Sequence, residues 1–129
     1  DSSTSRGLGD VYKRQINMET HEMEHAGTTY TILVGKNAKS NDQLLDQAGP
    51  SDVWFHVDDA PSGHVLLVNE EELSIKKIPK QVIKRCACLC KASTKASGKC
   101  NIIYTMRKHI EKTDVLGCVI PSNVKSVSI

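Results

Sequence analysis

The chain has 129 residues, enough for one domain with its own core and too few for two. Hydrophobic residues make up 39% and charged residues 25%, but there is one Trp, one Phe and three Tyr, so the core must be aliphatic and a broad base-stacking platform is disfavoured. No apolar run approaches the roughly 18 residues needed to cross a bilayer, so no membrane partner is expected.

Residues 1–28 are expected to lie outside the fold. "DSSTSRGLGDVYKRQ" has no apolar period and reads as a disordered tail, a tag or an adapter sequence translated in frame. "INMETHEMEHAG" is acidic, and its His21 and His25 stand at the i, i+4 spacing of a helical metal pair, though a frayed tail explains them as well. The domain is therefore placed at residues 29–129.

"TYTILVGKN" is rich in β-branched residues and reads as a strand ending at Gly35. "SNDQLLDQAG" predicts a short helix, capped by Ser40 or Asn41, with Leu44, Leu45 and Ala48 facing inward and Gly49-Pro50 ending it. "DVWFHV" is extended, "DDAPSG" turns, and "HVLLV" is the next strand, so the pair makes a hairpin with a long loop. In "IPKQVIKRCACLCKASTKAS", Val82, Ile83, Cys86, Leu89 and Cys90 fall within about 120° of one another at a helical period. Lys80, Lys84, Lys91 and Lys95 fall within about 60° on the other side. The segment is an amphipathic helix starting near Pro79, with Gly98 at the expected C-cap. "CNIIYT" reads as a strand, "RKHIEK" as a short basic helix or connection, and "LGCVI" and "VKSVSI" as strands joined at "PSN". The expected class is α+β, with an antiparallel or mixed sheet, one long amphipathic helix packed on a face, and short helices.

The five Cys are an odd number without a secretory leader before them, which fits reduced thiols and a cytoplasmic or nuclear setting; cytoplasmic is the expectation carried forward. Cys86, Cys88 and Cys90 lack the Cys-x-x-Cys spacing of a metal site and suit small buried positions.

Charge is segregated along the chain. Residues 1–73 hold five Lys/Arg against thirteen Asp/Glu, while residues 74–112 hold eleven Lys/Arg and a single Glu. A solvated helix normally mixes signs to gain i, i+4 pairs, and same-face lysines repel by a few tenths of a kcal/mol per pair. A polyanionic partner offsets that repulsion, so a phosphate backbone is the leading candidate. An acidic protein surface or an anionic membrane surface fits the same charge.

In "DVWFHVDDAPSGHV", strand alternation puts Trp54 and His56 on one face and Phe55 and Val57 on the other. His56, Asp58, Asp59 and His64 have the chemistry of a metal or acid–base cluster. No known catalytic spacing accompanies them, and Asp, Pro, Ser and Gly equally serve a turn.

These residues resemble the NFACT-R family. Gly35, Lys36 and Asn37 match its Gly-basic-Asn element; Asn41, Asp42 and Leu44 match the next; Asp52, Val53, Trp54, Phe55 and His56 match its centre; and Gly63 and His64 match its turn. The turn reads Pro-Ser-Gly-His where many relatives have Pro-Gly-Ser-His. The family is found at the C-terminal side of ribosome-quality-control proteins and as small stand-alone proteins. The resemblance implies RNA binding, to tRNA or ribosomal RNA and in the setting of the ribosome, without catalysis, cofactor, metal or small-molecule substrate. Lys80, Lys84, Lys91 and Lys95 are then expected on phosphates, with Arg85, Lys99, Arg107, Lys108 and Lys36 widening the patch. Asn37, Asn41, His56 and His64 are candidates for ribose or base contacts. Gly35, Asp42, Asp52, Trp54, Phe55 and Gly63 carry the structural motif. An adaptor docking an acidic protein, a DNA-binding module and a metal-dependent enzyme are the rival expectations.

Overall fold

In the computed structural model, which describes residues 18–58, 62–94 and 98–129, six strands form an antiparallel sheet. The strands are β1 (Met18–His25), β2 (Thr28–Gly35), β3 (Val53–Val57), β4 (Val65–Leu67), β5 (Asn101–Met106) and β8 (Lys125–Ser128). Their spatial order is β1-β2-β4-β3-β5-β8. A separate two-stranded ribbon joins β6 (Ile110–Lys112) to β7 (Val119–Pro121). Two helices complete the α+β architecture, α1 (Ala38–Gln47) and α2 (Lys80–Ala92).

The sheet is apolar on both faces, and strand alternation divides its side chains between two cores. Ile32, Val34, Val53, Phe55, Val57, Val65 and Leu67 gather with Val82, Ile83, Cys86, Ala87 and Cys90 of α2. Leu33, Trp54 and Leu66 gather with Leu44 and Leu45 of α1 and with Ile110. The expected alternation of Trp54 and Phe55 is therefore observed, and both rings are buried.

Three local expectations are corrected. Residues 18–25, assigned to a tail, form edge strand β1 and pair with β2 along their whole length, from Met18 opposite Gly35 to His25 opposite Thr28. Polar alternation is what a half-solvated edge strand needs, and β2 supplies the partner. His21 and His25 accordingly lie on a strand and not on a helix.

The cap of α1 is Asn37, with neither Ser40 nor Asn41 in that place. Asn37 Oδ1 accepts from the Ser40 amide at 2.8 Å, and Ser40 Oγ accepts from the Asn37 amide at 3.0 Å, a reciprocal capping box. Asn41 is turned inward instead, where its Oδ1 accepts from the His64 amide at 3.1 Å.

Helix α2 spans thirteen residues and ends at Ala92, before Gly98. Ser93 stops it, since its Oγ donates to Cys90 O at 2.6 Å and accepts from the Gly63 amide at 2.9 Å. Lys95 and Asp59 lie outside the described residues.

Asp52 pins the strand connections. Its carboxylate accepts from the amides of Gly49 and Asn69 at 2.9 and 2.8 Å, and its carbonyl accepts from the Arg107 amide at 2.8 Å. Arg107 in turn donates from Nε to Leu45 O and from a terminal guanidinium nitrogen to Ile110 O, both at 2.9 Å. It thereby ties the last turn of α1, where Leu45 O also accepts from the Ala48 amide at 3.3 Å, to the start of β6.

Trp54→Ala is expected to lose about 3–5 kcal/mol of stability, because the ring it deletes is 2% exposed between β3 and α1. Urea unfolding checks this, and a midpoint equal to that of the parent protein would refute the packing. Asn37→Ala is expected to lose about 1 kcal/mol through the α1 cap, read from the same experiment.

Candidate nucleic-acid interface

Helix α2 buries one side and leaves Lys80, Lys84 and Arg85 exposed on the other. Between α2 and the β5–β8 edge runs a groove of about 490 Å³, lined by Lys76, Lys80 and Lys84 on one side and Tyr104 and Lys125 on the other. A neighbouring groove shares Lys76 and Lys125 and adds Lys108 and His109, with Glu72 at its margin. Among the described residues, none of Lys76, Lys80, Lys84 and Lys125 has an ion-pair partner.

Sequence reasoning had not singled out Lys76 or Lys125. Lys76 sits on the 3-10 turn Ile75–Lys77 before α2, and the pairing of β8 with β5 brings Lys125 opposite Tyr104. The charge run pointed to Lys76, but nothing local in "VKSVSI" pointed to Lys125. Conversely, Lys91 is half-buried and its Nζ donates to Ile129 O at 3.3 Å. Lys99 is exposed, but neither groove includes it. Arg107 is occupied with carbonyls as described, so its side chain serves the fold.

The other candidate residues gather elsewhere. Lys36, Asn37, Asn41, His56, Gly63 and His64 line a cleft of about 610 Å³ at the start of α1. Gly35 and Gly63 let the backbones at its floor meet, because a Cβ on Gly35 would strike Asn41 Oδ1 and one on Gly63 would strike Gly35 O. The amide of Gly35 donates to His64 O at 2.8 Å.

Trp54, His56 and His64 form a ring cluster. His56 stacks on Trp54 with centroids 5.7 Å apart, and His64 meets Trp54 edge-on at 5.5 Å and His56 at 5.2 Å. Burial lowers the pKa of His56, partly opposed by its contact with Val57 O at 2.6 Å and by Asp58. Burial, reinforced by His56 and opposed by Asp42, lowers that of His64 to about 4. Both rings are therefore neutral at pH 7. Burial likewise raises the thiol of Cys90 to about 11 and that of Cys86 further, so neither is a ready thiolate ligand. Among the described residues, no three His, Cys, Asp or Glu side chains converge as metal ligands.

The model of the NFACT protein RNA binding domain matches residues 19–123. The chain belongs to the NFACT-R family. This is an RNA-binding family and not a catalytic one. The NFACT-R chain is 39% identical over 89 residues to "Coiled-coil domain-containing protein 25" of Mus musculus, which covers 67% of it and 43% of that relative. It is 32% identical over 98 residues to "Rqc2 homolog RqcH" of Bacillus subtilis, covering 74% of the chain and 16% of the relative. The chain thus spans less than half the length of these curated relatives. In fold it is similar to the C-terminal part of the fibronectin/fibrinogen-binding protein from Streptococcus suis, with a TM-score of 0.75, 24% identity, and 99% of this chain and 54% of that one covered. Among the described residues, no helix of this NFACT-R chain is long and apolar enough to cross a membrane.

The lowered pKa of His64 sets a pH dependence. The folded state binds this proton less readily than the unfolded chain, whose histidine titrates near 6.5, so stability falls as pH drops through that value towards about 4. The expected loss by pH 4 is about 3 kcal/mol from this group. Urea unfolding at a series of pH values should show that slope, and His64→Gln should flatten it.

Proposed function

We propose that this NFACT-R domain binds structured RNA, tRNA or ribosomal RNA, through the exposed face of α2 and the groove beside it, and that it does so without catalysing a reaction. The observation that carries the reading is the groove itself, in which four lysines from three elements line one channel with no carboxylate among its lining residues. Each lysine is a point charge on a flexible stem, suited to phosphates and indifferent to base identity. The likeness to the Rqc2 homolog adds a setting, translation or ribosome quality control, and with it a cytoplasmic location and the ribosome as a partner.

Lys80 and Lys84 are the central contacts, one helical turn apart. Lys76 continues their row, Lys125 faces them across the channel, and Lys108 extends it. Lys91, Lys95, Lys99 and Arg85 contribute at the margins if the RNA follows α2 beyond the groove. Tyr104 is the single aromatic ring along the channel, so backbone and shape carry recognition, with at most one stacked base.

Bulk tRNA titrated at several salt concentrations tests this. Four neutralised phosphates give a slope of log K against log salt of about −3. Lys80→Glu with Lys84→Glu should abolish measurable binding at moderate salt while leaving the melting temperature within a few degrees, since both side chains are exposed. Unchanged affinity in the folded double variant would sink the assignment. Equal affinity for duplex DNA would reassign the face to nucleic acid in general. No RNA binding at low salt would turn it into a docking face for an acidic protein.

A further inference from the structure

The turn "PSN" at residues 121–123 follows β7 and leads into β8, and it carries chemistry that the lysines of the α2 channel lack. It brings Asn123 to the neighbouring groove, of about 590 Å³, where His109, Lys76, Lys108 and Lys125 also stand. Thr105, fully buried in β5, shares its hydroxyl proton between Ser122 O at 2.9 Å and Asn123 O at 3.3 Å. Ser122 donates from its amide and from its hydroxyl to His109 O, at 3.0 and 3.2 Å. These bonds fix the backbones that carry Asn123 and His109 before any ligand arrives. Asn123 itself stands at φ +53°, in the left-handed region that Asn tolerates better than most residues.

The two side chains meet in the groove, with Asn123 Nδ2 at 3.3 Å from His109 Nδ1. With the amide donating, Nδ1 accepts and the ring proton sits on Nε2. The pair then offers an Nε2–H donor, a second amide N–H and the Oδ1 acceptor, none of which has a partner among the described residues. Asn123 is exposed and His109 half-buried. Three lysines line the same groove, and Glu72 is the one carboxylate among its lining residues. A lysine registers a phosphate and little else of a strand. An amide and an imidazole are directional, and a donor beside an acceptor matches a hydroxyl, which is both. Helical RNA displays such a group, the ribose 2′-hydroxyl, along its minor groove whatever its sequence, and DNA has none.

We propose that His109 and Asn123 read a ribose 2′-hydroxyl of the RNA whose phosphates Lys76, Lys108 and Lys125 hold, and that this pair makes the domain select RNA over DNA. The inference rests on the reading of the α2 face as an RNA site and supplies the discrimination that its lysines do not. The hydroxyl donates to Asn123 Oδ1 and accepts from the amide N–H or from His109 Nε2–H. A DNA strand in the same groove keeps its phosphates on the lysines and leaves both side chains to water.

The test is the affinity of the chain, at one salt concentration, for a short RNA hairpin, for the same hairpin with 2′-fluoro sugars, and for its DNA counterpart. The 2′-fluoro form keeps the A-form helix and its phosphates and loses the hydroxyl proton. The RNA should bind about tenfold more tightly than either, the difference that one hydrogen bond makes. Asn123→Gly keeps the positive φ and removes the amide, and His109→Phe keeps a ring and removes its nitrogens. Each should bring the RNA down to the level of its 2′-fluoro form while leaving the other two affinities unchanged. Loss of the fold would weaken all three instead. Lys80→Glu with Lys84→Glu should also weaken all three alike, which separates phosphate binding from hydroxyl reading. In NMR of the isotope-labelled parent chain, the Asn123 side-chain amide should shift saturably with the RNA, a readout that serves if a variant fails to fold. Equal affinity for the RNA and its 2′-fluoro form, or an Asn123 amide that does not move, would overturn the inference and leave the channel standing. Binding of none of the three at low salt would overturn the RNA reading itself, and this inference with it.

Discussion

Strand β3 is covered on both faces, and the rest of the molecule is arranged by that fact. Phe55 faces the α2 core and Trp54 the α1 core, with 0% and 2% of their surfaces exposed. A five-residue strand that hides both sides needs a helix on each. Its neighbours on either hand, β4 and β5, are the strands that the turn at Ser62–His64 and the exit from α2 lead into. The helices are tied to that same turn, Ser93 after α2 through the Gly63 amide and Asn41 of α1 through the His64 amide. Burial of β3 and construction of the cleft are therefore one constraint seen from two places.

The lysines divide by what surrounds them. Lys112 pairs with Asp42 at 3.0 Å and also with Asp46, and Lys36 lies 3.3 Å from Glu19, so these charges have carboxylate partners within the fold. Along the α2 channel, no such partners stand among the described residues. Exposed pairs of this kind are worth little to stability. Leaving them out of the channel therefore costs the fold little, while it keeps a positive field whole for a polyanion.

What was legible in the sequence had a local period. Alternation in "VWFHV" gave the two faces of β3, and the 3.6-residue spacing of Val82, Ile83, Cys86 and Cys90 gave the buried side of α2. What was not legible depended on partners distant in the chain. Arg107 looked like one more basic residue, yet it bonds Leu45 O sixty-two positions away. Asn41 looked like a cap or a ribose contact until the fold placed it under His64, twenty-three positions on. The strand at Met18–His25 was missed because its own side chains are half polar and its order comes from β2. Lys125 joined the channel only through the pairing of β8 with β5.

The placement of the aromatic rings narrows the style of recognition. Trp54 and Phe55 are consumed by the two cores, and Tyr104 lies half-buried with its ring stacked on Phe55 at 5.3 Å. Little is left on which a run of unpaired bases could stack, so selectivity by base identity has few side chains to act through. On the proposed reading, charge in the α2 channel responds instead to the spacing of phosphates, which a folded RNA sets by its shape. The cleft differs in kind, since side chains of Ser93 and Asn41 hold the Gly63 and His64 amides of its wall in place. The channel side and the cleft side of the domain are joined through the single covered strand β3.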